Sequence, residues 1–170
     1  MVKHSSRIEL KQSAYKNNIN FIKKKIGDNV IVSSVVKANA YGHGIRTFVP
    51  MAEKCGVNHF SVASSFEAEE VLSVCSSASR IMIMGIIYEE DIPWAIEHDI
   101  EFFVYNYERL PKTLAAAKKI GKAAKVHIEV ETGANRTGLP QKDFLKVLSY
   151  LKKHSEHIIF EGLCTHFGGA

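Results

Sequence analysis

Lys37 closes a run, Val30–Val36, that is otherwise nearly all apolar and β-branched. A partly desolvated amine at such a strand end can act as a nucleophile or a base, and it suits Schiff-base formation with an aldehyde. A lysine snorkelling from the strand into water is the plain alternative. The next residues add to the first reading. Asn39, Tyr41 and His43 bring polar side chains at alternate positions, and Gly42 and Gly44 allow tight backbone paths and close approach of a ligand. A second group follows at residues 129–138. Glu129 and Glu131 sit at alternate positions of a strand end, so their carboxylates are expected on one side. Arg136 comes five residues after Glu131. An arginine held by a carboxylate can offer its remaining donors to a ligand's carboxylate or phenolate oxygen, and a structural Glu129–Arg136 ion pair is the alternative. A third candidate is His166, in Cys164-Thr165-His166-Phe167, which could stack on an aromatic ligand or titrate near neutrality.

The elements that must position these residues alternate in type. Helical periodicity covers Ser13–Ile26, Ile45–Cys55, Ser65 to about Cys75, Glu89–His98, Tyr107–Ile120 and Pro140–His154. Short apolar runs at Val30–Val36, His59–Ala63, Arg80–Met84, Phe102–Tyr105, Lys125–Val130 and Ile158–Cys164 read as strands. Strands alternating with helices predict consecutive βαβ units on a parallel sheet. A doubly wound sheet would be complete at this length, whereas a (β/α)8 barrel would need two more strands. The final residues Thr165–Ala170 read as a loop after strand six, so the chain is expected to be the first part of a longer protein. Lys37, Arg136 and His166 all follow strand ends, where such folds collect function. Gly85 ends a strand too, but offers no chemistry.

Composition narrows the classes. The 170 residues are 46% hydrophobic and 24% charged, with 22 Lys+Arg against 18 Asp+Glu, so the net charge is +4. These are globular proportions, too apolar for a disordered tail. The lysine clusters at 23–25, 118–119 and 152–153 lie on helical patterns, which reads as solvated faces and not as nucleic-acid binding. His98, His154 and His157 read as solvated in the same way. No apolar stretch approaches the ~18 residues of a membrane helix. The polar start, Met1–Lys11, does not read as a secretory signal. Cys55, Cys75 and Cys164 are too widely spaced for a metal site and fit reduced cytoplasmic thiols. No metal site is expected.

The run Val36-Lys37-Ala38-Asn39-Ala40-Tyr41-Gly42-His43-Gly44 closely resembles the pyridoxal-phosphate (PLP) lysine motif of alanine racemases. Glu131-Thr132-Gly133 to Arg136-Thr137-Gly138 resembles that family's Asp-Thr-Gly-x-x-Arg-x-Gly segment, and Thr165-His166-Phe167 its Thr-His-Phe segment. The segments come in the family's order, and the resemblance covers essentially the whole chain. It implies an α/β fold, a (β/α)8 TIM barrel with about six of its eight βα units in residues 1–170, as an incomplete PLP-binding domain. A C-terminal β domain and a head-to-tail homodimer are implied with it.

By the same resemblance, Lys37 would hold pyridoxal 5'-phosphate and act as the base on the D-enantiomer side. Tyr41 would contact the cofactor phosphate, His166 would pack on the pyridine ring, and Arg136 would bond the phenolic oxygen and orient the substrate carboxylate. Asn39 and Glu129 would support them. The opposite base would be a tyrosine of the partner subunit's C-terminal domain. The implied reaction interconverts L- and D-alanine, or another small amino acid, by two-base α-proton transfer through an external aldimine, in bacterial cell-wall precursor supply. Glu129 stands where many members carry a lysine, often carbamylated, and is expected to supply the negative charge that holds Arg136. Glu131 replaces an aspartate, and Ala134-Asn135 a Met-Gly pair, which bears on substrate range. Two other uses of the same barrel are a PLP carrier or homeostasis protein and a D-amino-acid lyase or decarboxylase. The Gly-Glu-Asn segment of the carriers is not found in this sequence.

Overall fold

A computed structural model describes residues 6–168. The first residues of the polar start, Met1–Ser5, and the final Gly169-Ala170 lie outside the described residues. Six strands form one sheet in the order β1-β2-β3-β4-β5-β6, with helices in the connections. The pairings of β1 with β2, β3 with β4, β4 with β5 and β5 with β6 are parallel. A doubly wound sheet reverses its strand order at a switch point. Here the order never reverses, which is the topology of a (β/α)8 barrel through its sixth strand.

Contacts divide the chain into two units: residues through Val62 with Phe66–Ile81, and Ala63–Ser65 with Met82 onward. The first holds α1 (Gln12–Ile26), β1 (Ser34–Val35), α2 (Lys37–Tyr41), α3 (Ile45–Lys54), β2 (His59–Val62), most of α4 (Ser65–Leu72) and the start of β3 (Arg80–Ile83). Gly27, at φ 84°, stops α1 and donates its N–H to Lys23 O. In β2, alternate residues face opposite ways. Phe60 and Val62 join the apolar core, while His59 and Ser61 take the other face, where Ser33 Oγ lies 2.5 Å from Ser61 Oγ and 2.7 Å from His59 Nδ1. The predicted strand Val30–Val36 shrinks to Ser34–Val35. β1 is the first strand of the sheet order and pairs only with β2 there, and Val30 and Ile31 are exposed.

The second unit holds the end of β3, a 3-10 turn (Glu89–Asp91), α5 (Ile92–Glu97), β4 (Glu101–Val104), α6 (Arg109–Ile120), β5 (Ala124–Glu129), a second 3-10 turn (Gln141–Asp143), α7 (Phe144–Lys153) and β6 (Ile158–Cys164). Phe102, Val104, Val126 and Ile128 are buried on one face of the sheet. On the other face His127 Nε2 lies 2.7 Å from Glu101 Oε2, with Glu101 buried, and the Phe103 ring lies 6.0 Å from the imidazole. The β5–β6 register skips Glu161, a bulge that sets Gly162 opposite His127. A Cβ on Gly162 would come within 3.1 Å of His127 Nδ1, so the glycine leaves the imidazole its space. Among the described residues, no helix is long and apolar enough to cross a membrane.

Candidate active site

The candidate lysine heads an unusual piece of backbone. α2 spans Lys37–Tyr41, and Ala38, Asn39, Ala40 and Tyr41 all have positive φ, between 52° and 54°. Four consecutive non-glycine residues therefore form a left-handed helical turn. Each such residue costs about 1–2 kcal/mol relative to the right-handed form, or about 4–8 kcal/mol over the four. Backbone bonds offset part of this: Ala40 N–H to Val36 O (2.8 Å), Gly42 N–H to Ala38 O (3.1 Å) and Gly44 N–H to Asn39 O (2.9 Å). Asn39 Oδ1 accepts the N–H of Ile45, where α3 begins, at 2.8 Å. Glu67 Oε1, from α4, accepts the Ala38 N–H at 2.6 Å. Val36 and Ala40 are buried and anchor the turn, while Lys37 and Tyr41 are exposed. The exposure of Lys37 departs from the expected partial desolvation. His43 lies over the ring of Phe48, with centroids 6.4 Å apart.

The second candidate segment, in the other unit, is a loop pinched at its base. Leu139 N–H donates to Glu129 O at 2.7 Å, and Glu131 N–H to Leu139 O at 3.1 Å. Gly138, at φ 123°, must be glycine, because a Cβ there would sit 2.6 Å from Glu131 N. The Glu131 carboxylate gathers the loop's amides: Gly133 N–H bonds to Oε1. The N–H groups of Asn135 and Gly133, ahead of those of Arg136 and Ala134, hold its carboxyl below the usual range. Arg136 is presented exposed at the far side of this loop.

The third segment is tied to the second. Thr165 Oγ1 donates to Val130 O at 2.9 Å and lies 2.6 Å from Thr132 Oγ1. The loop bearing Arg136 and the exposed His166 are thus joined through one threonine pair.

The sequence profile described as "Alanine racemase, N-terminal domain" matches residues 10–170. The chain belongs to this alanine racemase family. It is similar to the alanine racemase of Methanococcus maripaludis, 37% identical over 171 residues, covering 100% of this chain and 45% of that protein. The solved structure of alanine racemase from Oenococcus oeni aligns with a TM-score of 0.85 at 28% identity, over 95% of this chain and 46% of that one. That of a histidine racemase from Leuconostoc mesenteroides aligns at 0.84 and 25% identity, over 93% and 42%. The chain thus spans less than half the length of these relatives.

In this alanine racemase family member, Lys37, Asn39 and Tyr41 share one turn of the first unit, and Arg136 and His166 share a braced pair of loops in the second. Glu129 and Arg136 are not brought together: among the described residues no ion pair joins them. The expectation fails for a physical reason. Glu129 is only 3% exposed at the end of β5, and its short side chain stays in the sheet. Glu131, capped by the loop's amides, sets the path that carries Arg136 away. The two glutamates, expected on one side, have different surroundings: Glu129 is buried at the end of β5, and Glu131 accepts the loop's amides. Glu129 instead acts on Cys164. Burial first, and this carboxylate second, push the thiol up to about 12. Among the described residues, no three His, Cys, Asp or Glu side chains gather as a metal site. The sequence reading missed Glu67, whose link to Ala38 spans 29 positions; an acidic residue in a helix's first turn is common enough, through the helix dipole, to give no signal of its own. It also missed the Glu101–His127 pair, which only strand register reveals.

Proposed function

We propose that this chain is the cofactor-bearing part of a PLP-dependent amino-acid racemase that interconverts L- and D-alanine. The observation that carries the reading is Lys37, an exposed amine after β1, heading a strained turn in a chain of the alanine racemase family. The donor set fits PLP by its chemistry. Lys37 supplies the amine for an aldehyde, Arg136 the guanidinium for a phenolic oxygen and a carboxylate, and Tyr41 a hydroxyl for a phosphate. His166 supplies a flat ring. When bound, PLP supplies the electron sink that acidifies the substrate's α-proton.

The chain's own residues then hold and move protons. Lys37 Nζ takes or returns the α-proton on the D-enantiomer side. Arg136 orients the substrate carboxylate, its loop held by Glu131 and Gly138. Asn39 fixes the turn behind Lys37, and Glu129 fills the strand end beneath the Arg136 loop. The base for the opposite face is assigned to a tyrosine of a partner subunit in a head-to-tail homodimer, within a cytoplasmic enzyme.

The test is to incubate the protein with PLP, reduce with borohydride and map the modified lysine by mass spectrometry. Selective labelling of Lys37, lost in Lys37→Ala, is the expected result. Labelling spread over surface lysines such as Lys23–Lys25, with Lys37 untouched in a chain extended to its relatives' length, would overturn the reading. The likeness to a histidine racemase favours a second reading of substrate range, so racemisation of L-alanine and L-histidine is compared on that longer chain.

A further inference from the structure

We propose that Glu67 is a positioning residue: its carboxylate holds the Ala38 N–H, and with it the left-handed turn that sets the direction of the Lys37 amine. The inference rests on reading Lys37 as the cofactor-holding lysine. Three observations in the first unit support it. The turn is made of L-residues without a glycine from Ala38 to Tyr41, so its handedness needs support from outside. The Ala38 N–H lies in the opening turn of α2, where helical N–H groups lack partners within their own helix. Glu67 Oε1 accepts that N–H at 2.6 Å, a close hydrogen bond across 29 positions of sequence.

The carboxylate is itself firmly carried. α4 buries Ala68 and Val71, three residues apart on one face, and Glu70 of the same helix pairs with Arg46 of α3 at 3.4 Å. A rigid helix thus presents an acceptor to the residue that immediately follows Lys37. Helix-dipole stabilisation of α4 would account for an acidic residue at position 67, but not for its bond to Ala38. Within the turn, Asn39 anchors the exit toward α3 and Glu67 anchors the entry. Loosening the entry lets Ala38 relax toward the right-handed region and swings the Lys37 side chain with it.

The experiment compares wild type with Glu67→Ala and Glu67→Gln, using two readouts. The first is hydrogen–deuterium exchange of the peptide covering residues 37–44, which needs no cofactor. The second is the rate of PLP labelling at Lys37 under borohydride. Glu67→Ala is expected to speed exchange in 37–44 and to slow Lys37 labelling, each by about tenfold, the order for losing one hydrogen bond to a charged acceptor. Glu67→Gln, which keeps a neutral acceptor, is expected to fall between. Unchanged exchange across β5 and β6 serves as the control for folding. Faster exchange with unchanged Lys37 labelling would overturn the orienting role, and unchanged exchange would overturn the proposal entirely. A Lys37 left unlabelled in a chain extended to its relatives' length would defeat the PLP reading instead, and exchange would still decide whether Glu67 holds the turn.

Discussion

Cys164 shows what burial, with a carboxylate beside it, does to a thiol. Its Sγ lies 3.5 Å from Ile128 O, and its thiol is pushed up to about 12, from 9.0, by burial and then by Glu129. The nucleophile is the thiolate, and roughly a thousandfold less of it exists after such a shift. Cys164 should therefore alkylate with iodoacetamide at pH 8 at least about a hundredfold more slowly than an unhindered cysteine in the unfolded chain. Glu129→Gln should raise the rate, because it removes the charge and leaves the burial. Equal rates in the two proteins would show that the carboxylate plays no part. The same residue shows where sequence reasoning stops. Spacing allowed Glu129 to reach Arg136, but whether a strand-end side chain faces into the sheet or over the loop depends on register, which one sequence does not carry.

At the scale of elements, the loop 131–138 is organised by one side chain. The Glu131 carboxyl is lowered by amide hydrogen bonds, first from Asn135 and then from Gly133, so it binds protons less readily folded than unfolded. Its support for the loop is present above the ordinary glutamate range and is lost as pH falls through the lower folded value. The Gly133 and Asn135 amide resonances are expected to titrate together with a midpoint below that of an ordinary glutamate, and Glu131→Gln should abolish the transition. A midpoint at or above the ordinary range would refute this account. Element boundaries were largely legible because glycine marks them: Gly27 and Gly121 end α1 and α6 at positive φ. α7 was legible by its stripe, with Val147 and Leu151 buried as the three-four spacing required. The handedness of α2 was not legible. Lys-Ala-Asn-Ala-Tyr contains good right-handed helix formers, and only the flanking Gly42 and Gly44 hinted at unusual backbone.

At the scale of the whole molecule, alternation of strand and helix was enough to predict a parallel α/β sheet, and the unreversed strand order then separated the barrel from the doubly wound alternative. What periodicity could not reveal are the polar contacts within each unit. His59 and Ser61 of β2 both meet Ser33, and Glu101 of β4 meets His127 of β5, contacts that only the fold brings together. The left-handed turn at Ala38 also has a stereochemical consequence for the stability of the whole chain. A backbone at φ 52° is strained for an L-amino acid and relaxed for its mirror image. Semisynthesis that inverts the α-carbon of the exposed Ala38 alone, placing D-alanine in the chain, should therefore raise the thermal midpoint, by relieving about 1 kcal/mol. The same inversion at an ordinary right-handed position such as Ala115 of α6 should lower it.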